Sequence, residues 1–335
     1  MNTMEMIATT KSPLSNWLKG LGLLVSLAIA AGAIFALIHA LKSIDINAVF
    51  EAIRHMDAGL VALAAALVAA SYASLTFYDL LALRTIGRAE VRYRVAALAS
   101  FTSYPIAHGI GAVSLISPVI RYRIYSYHGL NAFDVANVCF LTGLTFWLGN
   151  LTALGIGLLF APDAIGLVDF LSPNVNQWLA GALLLGVAVF LSWSWFPRNI
   201  GTRRWPVRLP SGPLVLLQIV IGIFDLGAAA LAMYVLIPAG PQIGIFPIMA
   251  VFIAATLLGF ASHTPAGIGI FDATFLIGLG RGDKETLVAA LLMFRLMYHV
   301  LPFVFALSLF GLVEGWRNLR ARRRFLTFSD RRIEL

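Results

Sequence analysis

Long apolar runs recur along the chain and constrain its fold more than any other feature of the sequence. The runs that we predict to cross a membrane cover residues 18–41, 58–81, 131–160, 177–196, 213–237 and 287–313. About twenty apolar residues suffice for a helix to cross a hydrocarbon core of about 30 Å. Charged residues make up only 12% of the chain, whereas soluble domains average about 25%. The sequence therefore predicts an all-α polytopic membrane protein.

Helix breakers interrupt two further apolar stretches, at about 95–130 and 245–280. The candidate breaks are Pro105, Gly109 and Gly111 in the first stretch and Pro265, Gly267 and Gly269 in the second. Non-helical backbone at membrane depth is tolerated only where it is buried in protein or lines a cavity. Each stretch can therefore either cross the membrane fully or enter it and return as a re-entrant hairpin.

The distribution of basic residues distinguishes these two arrangements. Lys and Arg cluster at 84–94, 198–208 and 317–332 but are absent from the linkers 161–176 and 238–244. Because cytoplasmic loops carry an excess of Lys and Arg, we predict that the clusters are cytoplasmic and the linkers external. Six full spans, two re-entrant hairpins and cytoplasmic termini satisfy this pattern best. Eight full spans are the alternative, and they would place the acidic first linker inside.

An internal similarity supports the hairpins. The segment PIAHGIGAVSLI (105–116) resembles PAGIGIFDATFLI (265–277), and the offset of 158 residues that superposes them also places first-half spans on second-half spans. The halves begin on opposite sides of the membrane, which predicts two inverted-topology repeats, as in many secondary transporters. The predicted organisation is a cytoplasmic N-terminus, the first repeat, an external linker, the second repeat and a basic cytoplasmic tail, at residues 1–17, 18–160, 161–176, 177–316 and 317–335.

Two segments carry a resemblance to a known family. GIGAVSLISPVIRYRIYSYHGLNAFDVANVCFLTGLTFWLG (109–149) and SHTPAGIGIFDATFLIGL (262–279) resemble the N-terminal flippase region of the bacterial lysylphosphatidylglycerol synthase/flippase family, also called the multiple peptide resistance factor. The resemblance covers about residues 15–320. It implies an inner-membrane flippase that moves an aminoacylated phospholipid such as lysyl-phosphatidylglycerol between leaflets. The wider group includes proteins associated with hopanoid pathways, so another lipid is the alternative cargo.

The resemblance also implies partners. They are membrane phospholipids and a separate or fused lipid aminoacyltransferase. In the full-length family a cytoplasmic aminoacyl-tRNA-dependent transferase domain follows the membrane region, and this chain stops at Leu335 without room for one. We therefore expect no transferase activity and no enzyme. The sequence leaves the oligomeric state open, with a homo-oligomer among the alternatives.

Charged, aromatic and histidine side chains near the hairpins are the candidate lipid-binding residues. They are Arg121, Arg123, Asp225, Asp272, Arg295, Tyr122, Tyr125, His108 and His263. Ionisable groups inside a bilayer are costly, which makes them functional candidates, and the planar donor fork of arginine suits phosphate. On a helix the side chains of Arg121 and Arg123 would diverge, whereas on an extended segment they would converge on one phosphate. An equal alternative is that both arginines anchor this end of the hairpin at the cytoplasmic surface. Asp272 and Arg295 form either a structural pair or a site for a cationic headgroup and its phosphate.

The depth of each remaining aspartate or histidine along its span indicates a role for it. Asp79 and Asp134 lie nearer span ends, which favours capping or interfacial roles, whereas Asp225 is deeper and is a candidate for cargo or a coupling ion. The histidines beside the breaks are more often hydrogen-bonding residues than proton relays. No spacing matches a metal site, and we expect no metal and no cofactor.

Other function classes fit the sequence less well. Intramembrane aspartyl proteases need Asp directly after Gly-x-Gly so that two carboxylates share a proton, but here Ile270 and Phe271 precede Asp272. A non-transporting scaffold for lipid enzymes would require neither the glycines of the hairpins nor the charged residues inside the membrane. The net charge of +8 is a topology signal, and no nucleic-acid-binding motif accompanies it. The single cysteine, Cys139, excludes an intrachain disulfide.

Overall fold

The fold is almost entirely helical, which confirms the predicted class. The computed structural model describes residues 45–111, 113–196, 198–202, 205–238, 240–280 and 283–330. The first predicted span, 18–41, lies outside the described residues.

Long and short helices alternate in the first half of the described chain. They are α1 (Ile46–Arg54), α2 (Ala58–Thr85), α3 (Tyr93–Ile110), α4 (Val113–Tyr125) and α5 (Ala132–Phe160). The side chains of Asp57 and Asn131 accept backbone N–H groups at the starts of α2 and α5, which is a favourable N-terminal cap. At 28 and 29 residues, α2 and α5 extend about 40 Å.

The second half continues with helices around one short pair of strands. The elements are α6 (Gly166–Asp169), α7 (Pro173–Trp193), β1 (Asn199–Thr202), β2 (Trp205–Arg208), α8 (Gly212–Leu236), α9 (Gly240–Ile243), α10 (Ile245–Ala261), α11 (Ile270–Gly278), α12 (Lys284–Arg295) and α13 (Leu301–Asp330). A π-helical turn, Leu296–Val300, joins α12 to α13. Five helical segments are long and apolar enough to span a membrane, namely α2, α5, α7, α8 and the joined α12–α13 segment. They coincide with five of the six predicted spans.

Two pairs of shorter helices fold back on themselves. α3 packs against α4, and α10 packs against α11. α4 has 13 residues and α11 has 9, so they extend only about 20 and 14 Å, which is too short to cross about 30 Å of hydrocarbon. We call α3–α4 the first hairpin and α10–α11 the second hairpin.

The strands depart from the all-α prediction. β1 and β2 form an antiparallel pair in which Asn199 faces Arg208 and Ile200 faces Val207. They lie in the basic linker between α7 and α8, where the apolar helical pattern stops. Pro206 has no N–H to donate, and a two-stranded sheet tolerates it because both strands are edge strands.

Close helix packing forms the centre of the molecule. α8 packs against both α2 and α5. A Cβ placed on Gly149 of α5 would lie 2.7 Å from the Cα of Gly222 in α8, so the two backbones can approach this closely only because both residues are glycine. The first hairpin packs against α2 and α13, and the second against α5 and α8.

Candidate functional site

The tips of the two hairpins touch each other. At the first tip Gly111 has a left-handed φ of 79°, and a Cβ placed on it would lie 2.7 Å from the backbone nitrogen of Pro265 and 2.9 Å from its Cα. Pro265 belongs to the break of the second hairpin. Glycine is therefore required at position 111 for both its backbone conformation and the space it leaves. Gly109, which the sequence placed in the same break, lies inside α3 and packs against Phe303. The third residue of that predicted break, Pro105, is buried inside α3.

The tip of the second hairpin is a longer and more strained turn. Gly267 and Gly269 have φ values of 65° and 85°, and two residues with side chains, His263 and Ala266, have φ values of 54° and 50°. Left-handed conformations of such residues cost about 1–3 kcal/mol each and cluster at functional sites. The His263 side chain is exposed at this turn.

An ion pair holds this strained turn. Arg295 Nε donates to Asp272 Oδ1 at 2.6 Å, and its Nη2 donates to Oδ2 at 2.8 Å. A third donor, Nη1, reaches the carbonyl of Ala266 at 3.3 Å, and Asp272 Oδ2 also accepts the Gly269 N–H at 3.0 Å. Each side chain of the pair is 14% exposed. The pair that the sequence raised as an alternative thus exists, and it remains partly accessible.

A second ion pair fixes the first hairpin. Arg121 of α4 donates from Nε and Nη2 to the carboxylate of Asp79 in α2, at 2.9 and 2.7 Å. The Tyr125 hydroxyl donates to the same carboxylate at 2.7 Å, and Ser117 accepts from Arg121 Nη1. The guanidinium lies 4.7 Å from the centre of the Tyr104 ring. With 1% and 0% exposure of the two charged side chains, this pair is sealed inside the protein.

The prediction for Asp79 is therefore wrong, whereas Asp134 has the role expected of it. Asp79 neither caps a helix nor lies at an interface, because it is the buried partner of Arg121. Asp134 accepts the Asn131 N–H in the capping box of α5 and pairs with Arg88 at 2.7 Å. That hydrogen bond raises the pKa of Arg88, which lies in the turn between α2 and α3, above its ordinary value. A signal for Asp79 did exist in the sequence, since an aspartate within an apolar span needs a partner.

Arg121 and Arg123 point to different surroundings. Arg123 is half-exposed and donates to Glu314 of α13 at 2.8 Å. Arg317 donates to the other carboxylate oxygen of Glu314 at 3.1 Å and lies 4.3 Å from the centre of the Tyr127 ring. Tyr122, adjacent to both arginines in α4, is exposed. The two arginines of α4 therefore do not converge on one ligand, and sequence reasoning did not identify Glu314.

Asp225 belongs to α8, faces α2 and takes part in neither ion pair. Its side chain is 3% exposed. It accepts hydrogen bonds from the hydroxyls of Ser71 and Tyr78, which both belong to α2. Among the described residues, no Lys, Arg or His side chain forms an ion pair with Asp225.

Histidine and aromatic rings connect the hairpins. The His108 ring of α3 packs against Phe260 of α10, with centroids 5.1 Å apart. His299 of the π-helical turn, which the sequence did not single out, packs on Phe294 of α12 and on Tyr298. Within the described ranges, no group of three or more His, Cys, Asp or Glu side chains could hold a metal ion.

Comparison with known proteins shows similarity to an inner membrane protein. It is 28% identical to the inner membrane protein YbhN of Escherichia coli over 292 residues, which make up 84% of this chain and 89% of YbhN. It is also 28% identical to the uncharacterized protein slr0712 of Synechocystis over 264 residues, 77% of this chain and 80% of that protein. No protein-family model matches.

A shorter similarity relates the chain to lipid-modifying proteins. Over 84 residues, 24% of this chain, it is 37% identical to a phosphatidylglycerol lysyltransferase of Staphylococcus xylosus, of which the match covers 10%. Together with the apolar helices, these matches support a membrane protein that is similar to YbhN and has a short partial similarity to phosphatidylglycerol lysyltransferases.

Proposed function

We propose that this protein is a lipid translocase of the bacterial inner membrane. In this proposal it transports lipid and has no catalytic activity, and its cargo is an aminoacylated phospholipid such as lysyl-phosphatidylglycerol. A separate or fused lipid aminoacyltransferase would supply that cargo. The similarity to YbhN supports a location in the inner membrane. The short match to a phosphatidylglycerol lysyltransferase supports an aminoacylated phospholipid as the cargo.

The contact between the two hairpin tips carries the proposal. Gly111 of the first hairpin lies against Pro265 of the second. In transporters with inverted repeats, broken helices meet near the middle of the membrane, and their exposed backbone groups bind the substrate. Irregular backbone at that depth needs protein or a watered cavity around it. In this proposal the two touching breaks meet this requirement and would provide a polar surface between the leaflets.

The order of the elements supports the inverted repeat. Each half contains a long helix, two shorter helices that fold back on each other, and a further long helix. We propose that the first hairpin enters from the cytoplasm and the second from the exterior. Residues 18–160 and 177–316 would then be the repeats, 161–176 the external linker, and 1–17 and 317–335 the cytoplasmic ends.

The Asp272–Arg295 pair has the chemistry that an aminoacylated phospholipid needs. Such a headgroup joins a phosphate to one or more amines, so its site must offer both signs of charge. The pair lies directly on the second tip and is partly exposed. A headgroup that enters can exchange the ion pair for two new ones, with its amine on Asp272 and its phosphate on Arg295. No buried charge is left alone during this exchange.

The other candidate residues divide between supporting and entrance roles. Arg121 and Tyr125 are bound to Asp79, and we assign them to holding the first hairpin in place. Arg123 and Tyr122 are exposed on α4, where they can meet lipid phosphates at the cytoplasmic surface. The alternative of an aspartyl hydrolase gains no support, because Asp79 and Asp272 each bind their own arginine rather than each other.

Lipid transfer by Gly111→Leu tests the proposal directly. The leucine side chain would collide with the Pro265 backbone and would require an unfavourable φ, so we expect folded protein with at least a tenfold slower transfer. The assay follows fluorescent lysyl-phosphatidylglycerol between the leaflets of vesicles that contain the purified protein. Gly186→Leu is the matched control, because a Cβ at this helical glycine meets nothing within 4 Å. Equal rates in both variants, or no transfer by the wild type, would contradict the proposal.

A further inference from the structure

Asp225 differs from the other two deep aspartates because no described Lys, Arg or His side chain forms an ion pair with it. Asp79 and Asp272 each receive two hydrogen bonds from an arginine. Asp225 is 3% exposed, yet within the described part of the chain its side-chain partners are the hydroxyls of Ser71 and Tyr78. Because an unpaired buried charge is costly, a carboxylate in this position is stabilised when it takes up a proton or a cation.

The surroundings of Asp225 suit a proton. Tyr72 and Tyr78 face it from α2, and Tyr298 faces it from the π-helical turn. Within the described ranges, α5 and α10, which also pack on α8, place no charged group against Asp225, and Arg295 of α12 is bound to Asp272. Hydroxyl groups can donate to an ionised carboxylate and accept from a protonated one. The same neighbours therefore accommodate both protonation states without moving far.

A second buried polar side chain extends this site along α8. Gln218 is fully buried, and neither its amide nitrogen nor its amide oxygen has a hydrogen-bond partner among the described residues. It lies seven residues before Asp225, which places both on the same side of the helix and about 10 Å apart. Buried polar groups without protein partners are normally satisfied by ordered water. Gln218 is therefore a buried polar position, on the same side of α8 as Asp225, that an ordered water would satisfy.

We propose that Asp225 binds and releases the proton that drives lipid transfer. The inference rests on the proposed function, because the proton is useful only if the protein moves a cargo. A metal cation would require a shell of several oxygen ligands, whereas a proton needs only the carboxylate and an adjacent hydroxyl. The position of Asp225 between α8 and α2, two of the most closely packed helices, allows its charge state to alter their packing.

Asp225→Asn separates proton binding from transport. The asparagine keeps the shape of the protonated side chain but does not titrate. We expect wild-type vesicles with an imposed pH gradient to move fluorescent lysyl-phosphatidylglycerol at least fivefold faster than vesicles without one. Asp225→Asn should transfer at one rate with and without the gradient, and Asp225→Glu should regain the response. Asp163→Asn, which changes an exposed loop carboxylate, is the matched control and should respond like the wild type.

A measurement on the purified protein keeps the two proposals distinguishable. The infrared C=O band of a protonated carboxylic acid should disappear from the wild type as the pH rises, and Asp225→Asn should lack that change. Lipid transfer that ignores the pH gradient, or that follows a sodium gradient, would overturn the proton proposal and leave the translocase standing. Absence of any lipid transfer would overturn the translocase, and the infrared band would still decide whether Asp225 exchanges a proton.

Discussion

The two hairpins are each held by an aspartate–arginine pair, but the pairs differ in accessibility. The Asp79–Arg121 pair of the first hairpin is 0% and 1% exposed, and Ser117, Tyr125 and the Tyr104 ring complete its surroundings. The Asp272–Arg295 pair of the second hairpin is 14% exposed on both sides and binds backbone groups of the turn itself.

This difference in accessibility indicates that the two aspartate–arginine pairs have different roles. A sealed pair that also binds Ser117 and Tyr125 fastens α4 to α2, and a ligand cannot reach it without breaking it. An accessible pair at a strained turn can exchange partners with a charged ligand. The comparison predicts that the first pair contributes mainly to stability and the second mainly to lipid selectivity.

Arg121→Ala should produce the largest effect, because it breaks the sealed pair. Removing one partner leaves the Asp79 carboxylate buried and uncompensated, which costs about 3–5 kcal/mol. We expect a strongly lowered thermal unfolding temperature in detergent and poor membrane yield. The half-exposed Arg123 is the control, since Arg123→Ala breaks a surface pair worth less than about 1 kcal/mol.

The double variant Asp79→Leu/Arg121→Met sharpens the same comparison. Replacing a buried pair by apolar residues of similar size is often neutral or stabilising, so this variant should recover much of the stability that Arg121→Ala loses. Equal unfolding temperatures for Arg121→Ala and Arg123→Ala would show that the sealed pair contributes no more than the surface pair, which contradicts the comparison.

Asp272→Asn should have a smaller and more selective effect. The substitution keeps the shape of the side chain but removes the charge that would meet the amine of the headgroup. A hydrogen bond to a charged group contributes about 1.5–3 kcal/mol, so we expect transfer of lysyl-phosphatidylglycerol to fall about tenfold relative to phosphatidylglycerol. Asp134→Asn, at the peripheral pair with Arg88, should leave this ratio unchanged. If Asp272→Asn slows both lipids equally, the Asp272–Arg295 pair is only structural.

Much of the helical framework could be predicted because a membrane span has a strong local signal. Five predicted spans coincide with long apolar helices, since a helix in lipid must satisfy its backbone within its own segment. Proline and glycine also marked the regions of the two turns. They did not show which glycine turns the chain, because Gly109 and Gly111 are identical in type while only Gly111 adopts a positive φ.

The partners of the buried charges could not be predicted in the same way. Asp79 and Arg121 are 42 residues apart in the sequence, and Ser71 and Asp225 are 154 apart. Such contacts depend on how separate helices pack, and a single sequence carries no local pattern for them. Asp272 and Arg295 were recognised as a candidate pair because both lie at deep positions, Asp272 after the second Gly-x-Gly and Arg295 within the last predicted span. The strands β1 and β2 were missed because their pairing lies in a short linker without apolar periodicity.

Labelling of two exposed positions tests most directly the claim that the hairpins enter the membrane from opposite sides. His128→Cys, after the first hairpin, and Lys284→Cys, after the second hairpin, are both exposed and would be introduced singly in a Cys139→Ser background. The measurement is reaction with a membrane-impermeant maleimide in intact cells and in opened membranes. We predict that Lys284→Cys reacts in intact cells and that His128→Cys reacts only after the membrane is opened. Reaction of both variants from the same side would show that α3 and α4 together cross the membrane, and it would contradict the account.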